Sequence, residues 1–543
     1  MPNERAVRIV RALASHGYNA EREAVTLLAG AEDPDRALAR TLDALPADAL
    51  TVSRDHVRSA LDADTGRGTT PDADAGSGDG ADPTAADPAS TSDADSTSGA
   101  DPTAASRSPP ETKGVGPGAV GGSSGPGGSG TTTATGSESA TAARALDVAG
   151  DVTGESTGTG EYGDYVSLFR DRYDRLAGLL RGRVRHRPTD ALENAGGGET
   201  AGLVGMVDDV RSTANGHWIV DLEDTNGTFP CLVMKDRDVA DRVPELLHDE
   251  VVAVEGTLAD DGTILFVDSL HFPDVPRTFE PSTADRHVQA ALVSDVHVGS
   301  QEFAADAWDA FADWLHTAEA EHVEYLLIAG DMVEGVGVYP GQDAELDVID
   351  IYEQYEVFAE RLKAVPGDIE ILMIPGNHDA VRLAEPQPAF TEELRDIMSV
   401  HDARVVGNPS TVTVEGVSIL MYHGVSLDEV IAETPDDAGT YDDPHLAMHQ
   451  LLRKRHLAPQ YGGQMRIAPE PEDYLVLDEV PDVFHAGHVH KLGWGAYHGV
   501  LAVNSGCWQH QTDFQRRNNI DPDWGYAPIL DLDTLELTVR KFR

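Results

Sequence analysis

Apolar residues along this chain change their spacing several times. Over the first 60 residues they recur at helical intervals: Val7, Val10, Leu13 and Ala14 ahead of Gly17, then Val25, Leu27 and Leu28, then Leu38, Leu42 and Leu45 behind Pro34. Gly17 suits the position just past a helix end and Pro34 the first turn of the next. The pattern predicts a helical bundle over residues 1–61, and its lack of any titratable cluster marks it as an interaction domain. From 62 to 160 the periodicity dissolves into Gly, Ser, Thr, Ala, Pro and Asp, and no Phe, Trp or Tyr occurs between Tyr18 and Tyr162. Such a stretch cannot bury enough apolar surface to offset its ordering entropy, so residues 62–160 are expected to form a disordered acidic linker.

Helical spacing returns with Tyr165, Val166, Phe169, Tyr173, Leu176, Leu179 and Leu180, predicting a connecting helix within 161–197. It runs into Arg181, Arg183, Arg185 and Arg187, the densest basic cluster in the chain, which fits phosphates, an acidic partner or a solvated helix end equally well. Between 198 and 280 the pattern shortens to β-like runs at 203–207, 218–222, 229–233, 251–254 and 264–267, divided by Asn215-Gly216, Asn226-Gly227 and Asp261-Gly262. Five strands in so short a span predict a small OB-type barrel, a fold used both for binding single strands and for docking. After residue 285, apolar strands alternate with longer amphipathic stretches, the signature of a layered α/β (α+β) fold.

The polar residues ending those strands carry the chemistry. Ala290-Ala-Leu-Val-Ser-Asp295-Val-His297 ends in Asp-x-His, and Tyr325-Leu-Leu-Ile-Ala-Gly330-Asp331 ends in Gly-Asp. A third run ends in Gly376-Asn377-His378-Asp379, a fourth in His423-Gly424 and a fifth in Gly487-His488-Val489-His490. Asp-x-His and Gly-Asp are commonplace alone and a lone His423 is usually a core histidine, whereas Gly-Asn-His-Asp and Gly-His-x-His are stronger signals. Together they place Asp, His and Asn at five successive strand ends, where buried and unpaired they would be costly without a compensating charge. A mixed carboxylate, imidazole and amide set suits Mn²⁺, Fe²⁺ or Zn²⁺ rather than the all-oxygen sites of Ca²⁺. A shared carboxylate can bridge two ions roughly 4 Å apart, close enough to act on one phosphoryl group.

Charge taken alone argues against a nucleic-acid substrate: 40 Lys+Arg face 94 Asp+Glu, a formal net of −54. Only 15 acidic and 4 basic residues lie within 62–160, so −43 remains on the rest of the chain. Lysine is nearly absent, with only Lys113, Lys235, Lys363, Lys454, Lys491 and Lys541. This acid-rich, lysine-poor surface resembles that of proteins from salt-accumulating halophiles, where dense carboxylates keep a protein solvated. Two distant cysteines, Cys231 and Cys507, exclude a disulfide framework. With no 18-residue apolar run and no signal-peptide pattern at the start, the chain is expected to be cytoplasmic, without membrane contact.

The succession of strand-end motifs resembles the calcineurin-like metallophosphoesterase superfamily over about residues 285–543. That resemblance implies a metallophosphoesterase β-sandwich flanked by helices, holding two divalent metal ions, Mn²⁺ before Fe²⁺ or Zn²⁺. It assigns Asp295, His297, Asp331 and His490 to the first metal. Asp331 would bridge to a second, held also by Asn377, His423 and His488. His378 becomes the catalytic residue at the leaving oxygen, and Asp379 its orienting partner.

An OB-type barrel followed by this domain is similar to the small-subunit family of archaeal family-D DNA polymerases and to the related B subunits of eukaryotic replicative polymerases. Leu451–Gly463, Ile467–Tyr474 and Asn504–Gln515 extend the likeness beyond the ligands. The family implies a large catalytic subunit as partner and a 3′→5′ exonuclease acting on single-stranded or mismatched 3′ ends of DNA. Arg453, Lys454, Arg455, Arg516 and Arg517 are candidate nucleic-acid or subunit contacts, and Trp494 and Trp508 candidate stacking residues. Two alternatives stay open: a non-catalytic scaffold subunit, and a phosphomonoesterase.

Overall fold

The computed structural model describes residues 5, 8, 9, 12, 13, 18–20, 22–31, 33–46, 51–65, 145–398, 403–517 and 519–543. Of the linker expected over 62–160, residues 66–144 lie outside the described residues, as do Val7, Val10 and Ala14 of the first predicted helix. In the N-terminal domain, helices α1 (Arg22–Gly30), α2 (Pro34–Ala44) and α3 (Arg54–Thr65) accompany two short parallel strands, β1 (Asn19–Ala20) and β2 (Thr51–Val52). Pro34 opens α2 as expected, behind Asp33, whose Oδ1 accepts from the Arg36 N–H at 3.2 Å. Ile9, Leu13, Val25, Leu28, Val52 and Val57 share one small core. The domain is thus not purely helical, and α3 runs past the expected boundary at residue 61.

Order also resumes before the expected boundary at 160. β3 (Leu146–Ala149) adds antiparallel to the strand over Ser410–Val414, Val152 is buried, and the Gly158 N–H donates to Glu470 Oε1 at 2.8 Å. A polar segment with little apolar surface of its own is ordered here by hydrogen bonds that a distant part of the chain supplies, which no local pattern announces.

Helices α4 (Tyr162–Leu180) and α5 (Thr189–Glu193) lead into β4 (Thr200–Ser212), β5 (Trp218–Asp224), β6 (Gly227–Val233), β7 (Val251–Leu258) and β8 (Leu265–His271). These close into a five-stranded barrel in the order β4-β5-β6-β8-β7, each matching one of the predicted runs, with only Ile264 of the last falling outside its strand. Alternation explains why β4 reads as a continuous apolar run: Leu203 and Val207 fill the barrel, while Val204 and Met206 face Tyr173, Leu176 and Leu180 of α4.

The remaining residues form two six-stranded sheets. The first orders β12 (Arg404–Val405), β11 (Glu370–Ile374), β10 (Val323–Ala329), β9 (Gln289–Val293), β18 (Tyr526–Asp531) and β19 (Leu537–Lys541). The second orders β16 (Leu492–Tyr497), β17 (Val500–Ser505), β15 (Val483–Ala486), β14 (Val417–Met421), β13 (Ser410–Val414) and β3. Ala290, Leu292, Leu327, Leu372, Ile419, Met421 and Val503 meet in a core between the sheets. On the outer face of the first sheet, Val293 and Ile328 pack against Trp308 and Phe311 of α6 (Ala305–Leu315) and Phe358 of α7 (Ile351–Leu362). The short helix α8 (Glu392–Met398) adds Leu394 to that layer. Outside the second sheet, Phe484 and Ala502 pack on α9 (Leu427–Glu433) and α10 (Pro444–Lys454). The two sheets thus form a sandwich flanked by helices. Strands buried on both faces carry mostly apolar runs, and the Asp, Asn and His residues of the predicted motifs stand where the strands leave the sheet. Among the described residues no helix is long and apolar enough to cross a membrane.

Candidate metal centre

β9, β10 and β11 run parallel in one sheet, as do β14 and β15 in the other, and their C-terminal ends deliver the predicted ligands to one place. Crevices at the carboxyl ends of parallel strands are the usual location of sites in such folds. One group joins Asp295, His297 and His490, and a second joins Asp331, His423 and His488. His297 Nε2 lies 3.0 Å from His490 Nε2 and 3.7 Å from Asp331 Oδ2, while His490 Nε2 is 3.4 Å from Asp295 Oδ1. His423 Nε2 faces Asp331 Oδ2 at 3.2 Å and Asn377 Oδ1 at 3.0 Å.

Five of the seven expected ligands are non-glycine residues in the left-handed region: Asp295, His297, Asp331, His488 and His490, with φ from 51° to 70°. Each such residue costs on the order of 1–3 kcal/mol and persists only where surrounding contacts dictate it. Here the dictating contacts include the His488 N–H on Asp295 Oδ2 (2.9 Å) and the His378 N–H on Asp331 Oδ1 (2.8 Å). The motif glycines follow from the same crowding. A Cβ on Gly376 would lie 2.3 Å from Asp331 Oδ1, and one on Gly487 2.3 Å from Asp295 Oδ2.

The donor set fits a cation. His423 Nδ1 donates to the Ala329 carbonyl at 2.8 Å, so in the neutral ring Nε2 offers a lone pair to two oxygens that offer lone pairs in return. Three acceptors facing one another require a positive charge between them. Without a metal a proton takes that place: burial disfavours charge on His423, but Asp331 outweighs it and pushes the ring up to about 10. His297 is likewise held well above its ordinary value, its burial overcome by Glu334, Asp295 and Asp331. Burial opposes ionisation of Asp295 too, yet the adjacent His297 and His490 rings hold it well below the usual carboxylate range. A divalent ion would displace these protons.

Several partners lay outside the motifs. Glu334, three residues beyond Asp331, accepts from His297 Nδ1 at 2.8 Å and from Gln509 Nε2 at 2.7 Å, and burial notwithstanding, His297 holds its carboxyl down to about 2. Asp428 lies 3.2 Å from His488 Nε2, and Gln515 Nε2 donates to His490 Nδ1 at 2.8 Å. Carboxylate and amide partners of this kind orient metal-binding imidazoles. Only the Gln509 and Gln515 positions fell within a segment singled out from sequence. The site opens into a cleft of about 770 Å³, lined among others by His297, Asp331, His378, Tyr339, Phe514 and Lys491.

The expected role of Asp379 is corrected. His378 Nδ1 donates to the Glu334 carbonyl at 2.8 Å, whereas Asp379 accepts from the Gly376 N–H (2.8 Å), the Met332 N–H (3.3 Å) and the Tyr355 hydroxyl (2.9 Å). Asp379 pins the loop that presents Asn377 and His378 and leaves the ring to another group. Burial and the neighbouring Asp331 push its carboxyl up to about 7.

Comparison with known proteins places this architecture. Residues 290–492 match the family model that describes the B subunit of DNA polymerases alpha and epsilon. The DNA polymerase II small subunit of Halobacterium salinarum is 63% identical over 543 residues, covering 100% of both chains. The chain belongs to the small-subunit family of archaeal family-D DNA polymerases. The small subunit of Archaeoglobus fulgidus is 43% identical over 71% of this chain and 78% of its own. Among solved structures, an archaeal phosphodiesterase aligns with a TM-score of 0.25 at 14% identity, over 47% of this chain and 99% of its own.

Within this small-subunit chain the basic candidates divide sharply. Lys454 is buried: its Nζ donates to Glu250 Oε2 and the Glu245 carbonyl, each at 2.8 Å. Arg453 pairs with Glu245 and lies over the Phe272 ring, and the buried Arg455 donates to the Leu477 carbonyl at 2.7 Å. All three are turned inward, Arg453 and Lys454 to join α10 to the barrel, and are not surface contacts for DNA. A basic run at a helix end looks the same in sequence whether it faces solvent or a second domain. Arg183 likewise donates to the Phe272 and Pro273 carbonyls, and Arg187 pairs with Glu199. Arg516 and Arg517 remain exposed on α11 (Asp513–Arg517), both bridged to Asp513. Trp508 is fully buried against Trp308 and Phe311, and Trp494 sits half-exposed on the edge strand β16, outside the cleft lining.

Proposed function

We propose that this small subunit is a two-metal 3′→5′ exonuclease that trims single-stranded or mismatched DNA ends for the polymerase it serves. The observation that carries the reading is the meeting of two acceptor clusters, at Asp295/His297/His490 and Asp331/Asn377/His423/His488, on the wall of an open cleft. Asp331 faces both clusters and is the residue suited to bridge two ions, Mn²⁺ by its mixed donors, with Fe²⁺ or Zn²⁺ able to substitute. When bound, the metals supply positive charge against the phosphoryl oxygens and activate water.

The protein's own residues do the rest. His378 has its Nδ1–H engaged by Glu334, so its Nε2 is the atom left to face the substrate. There, as an imidazolium, it passes its Nε2 proton to the departing 3′-oxygen as water oxygen joins phosphorus and the P–O3′ bond breaks; the attacking water gives up its proton to solvent, and a nucleoside 5′-monophosphate is released. The OB-type barrel, clamped to the metallophosphoesterase domain by Arg453 and Lys454, is the candidate docking face for a large catalytic subunit. The setting is the cytoplasm. At molar salt the Debye length is about 3 Å, so the carboxylate-rich surface repels DNA little.

The test uses 5′-labelled single-stranded DNA and a mismatched primer end with Mn²⁺ at high KCl. The wild type shortens both, and His378→Ala is slower by about 10²–10⁴-fold. Equal rates for the two proteins refute the assignment of His378. Turnover of a phosphomonoester with DNA left intact would make the chain a phosphatase, and no turnover of either a scaffold subunit.

A further inference from the structure

Resting on the exonuclease reading, we propose that Tyr339 and Phe514 form an aromatic clamp that stacks on the 3′-terminal nucleobase and so sets its phosphodiester against the metal ligands. Both rings line the cleft, where Phe514 is 58% exposed and so within reach of a strand lying there. The Tyr339 and Phe514 centroids are 6.4 Å apart with planes inclined by 31°, a wedge of two rings in contact. A base stacked between them needs about 3.5 Å on each face, so the rings part to admit it.

Each ring is tied to the site it would serve. Tyr339 places its hydroxyl 3.2 Å from both Glu334 Oε1 and Glu345 Oε2, and its ring centroid is 6.4 Å from that of His378. Phe514 stands between Thr512 and Gln515, which cap one another: the Gln515 N–H donates to Thr512 Oγ1 at 3.2 Å and the Thr512 N–H to Gln515 Oε1 at 3.1 Å. Gln515 in turn donates to the ligand His490. The Asn504–Gln515 segment thereby couples a base platform to the metal centre.

Stacking on a π-face tolerates any base, but a base still paired in a duplex cannot enter the wedge. The clamp therefore selects frayed or mismatched ends by their unpairing and not by base identity, with purines held better than pyrimidines.

The experiment reads binding separately from cleavage. A single strand with 3′-terminal 2-aminopurine is added to His378→Ala with Mn²⁺ at high KCl, and base fluorescence is followed. The fluorescence is quenched on binding, affinity falls about 10–100-fold in His378→Ala/Phe514→Ala, and Phe514→Trp in the same background restores it. In the cleavage assay Phe514→Ala raises KM on a normal end and leaves an abasic 3′ end, already a poor substrate, unchanged. Absent quenching, equal quenching with Phe514→Ala, or equal losses on normal and abasic ends overturns the clamp. Quenching by a wild type that leaves DNA intact would sink the nuclease reading and uphold the clamp.

Discussion

Lys454→Met tests whether α10 latches the barrel to the sandwich or serves DNA. Lys454 is 1% exposed and Glu250 2%, and their charges meet at 2.8 Å. Glu250 spends another acceptor on the Leu247 N–H at 2.9 Å. Methionine keeps most of the side-chain volume but leaves the Glu250 carboxylate buried without a cation, a change that costs about 3–5 kcal/mol. Burial already raises the Glu250 carboxyl above its ordinary value despite Lys454, so part of that cost is relieved by proton uptake and the smaller end of the range is expected near pH 7. Lys454→Met/Glu250→Gln, which removes both charges, returns to within about 1–2 kcal/mol of wild type, with the remainder set by the lost bond to the Glu245 carbonyl. Thermal unfolding at high KCl, followed by tryptophan fluorescence and circular dichroism, reads this as a drop of about 6–10 °C for the single variant, at roughly 2 °C per kcal/mol. A single variant within 1 °C of wild type, or a double variant no better than the single, would refute the latch. Weakened DNA binding with unchanged unfolding would return Lys454 to the substrate surface.

Other consequences are accessible to simpler measurements. Glu334→Gln removes the charge that orients His297 Nδ1, and Mn²⁺ affinity by calorimetric titration should fall about 10–100-fold; an unchanged isotherm would exclude that role. Gly487→Ala puts a Cβ 2.3 Å from Asp295 Oδ2 and 2.5 Å from Ser294 Oγ. A destabilisation of about 1–3 kcal/mol with loss of metal affinity is expected, and a wild-type melting curve would contradict the crowding. His456 receives the Ala458 N–H on Nδ1 at 3.0 Å and donates from Nε2 to Asp473 at 2.9 Å, so its neutral ring is fully satisfied. Burial, with Arg172 beside it, lowers it from 6.5 to about 4. The folded state then binds fewer protons than the unfolded state between those values, so His456 contributes stability above pH 6.5 that is lost as pH falls toward 4. His456→Gln should flatten that part of the unfolding profile, and an unaltered slope would refute the assignment.

The residues gathered at the candidate metal centre were legible because their chemistry is local. Asp295, Asp331, Asn377, His423, His488 and His490 each stand where an unbroken apolar run gives way, and a run buried on both faces needs a reason to end in a charge. The barrel strands were legible for the same reason, since period and turn residues are short-range. Glu334, Asp428 and Gln515 carried no such mark, because an acid or amide near a helix looks the same in sequence whether it meets solvent or an imidazole. Lys454 and Arg455 are ambiguous in sequence for the converse reason, and Trp508, as consistent with core packing as with stacking, is buried by the sandwich.

What the sequence determined by itself was thus the elements and the kinds of atoms at their ends, both consequences of spacing and residue chemistry within a dozen positions. Which ends meet was decided by tertiary structure, through contacts between residues far apart in the chain. His490 is brought to Asp295 at 3.4 Å and Asp331 faces His423 at 3.2 Å because two sheets share one core. The left-handed backbone at five of the expected ligands, the pairing of β3 with β13 and the closeness of Tyr339 to Phe514 arise only there. Each depends on partners that the chain reaches by folding.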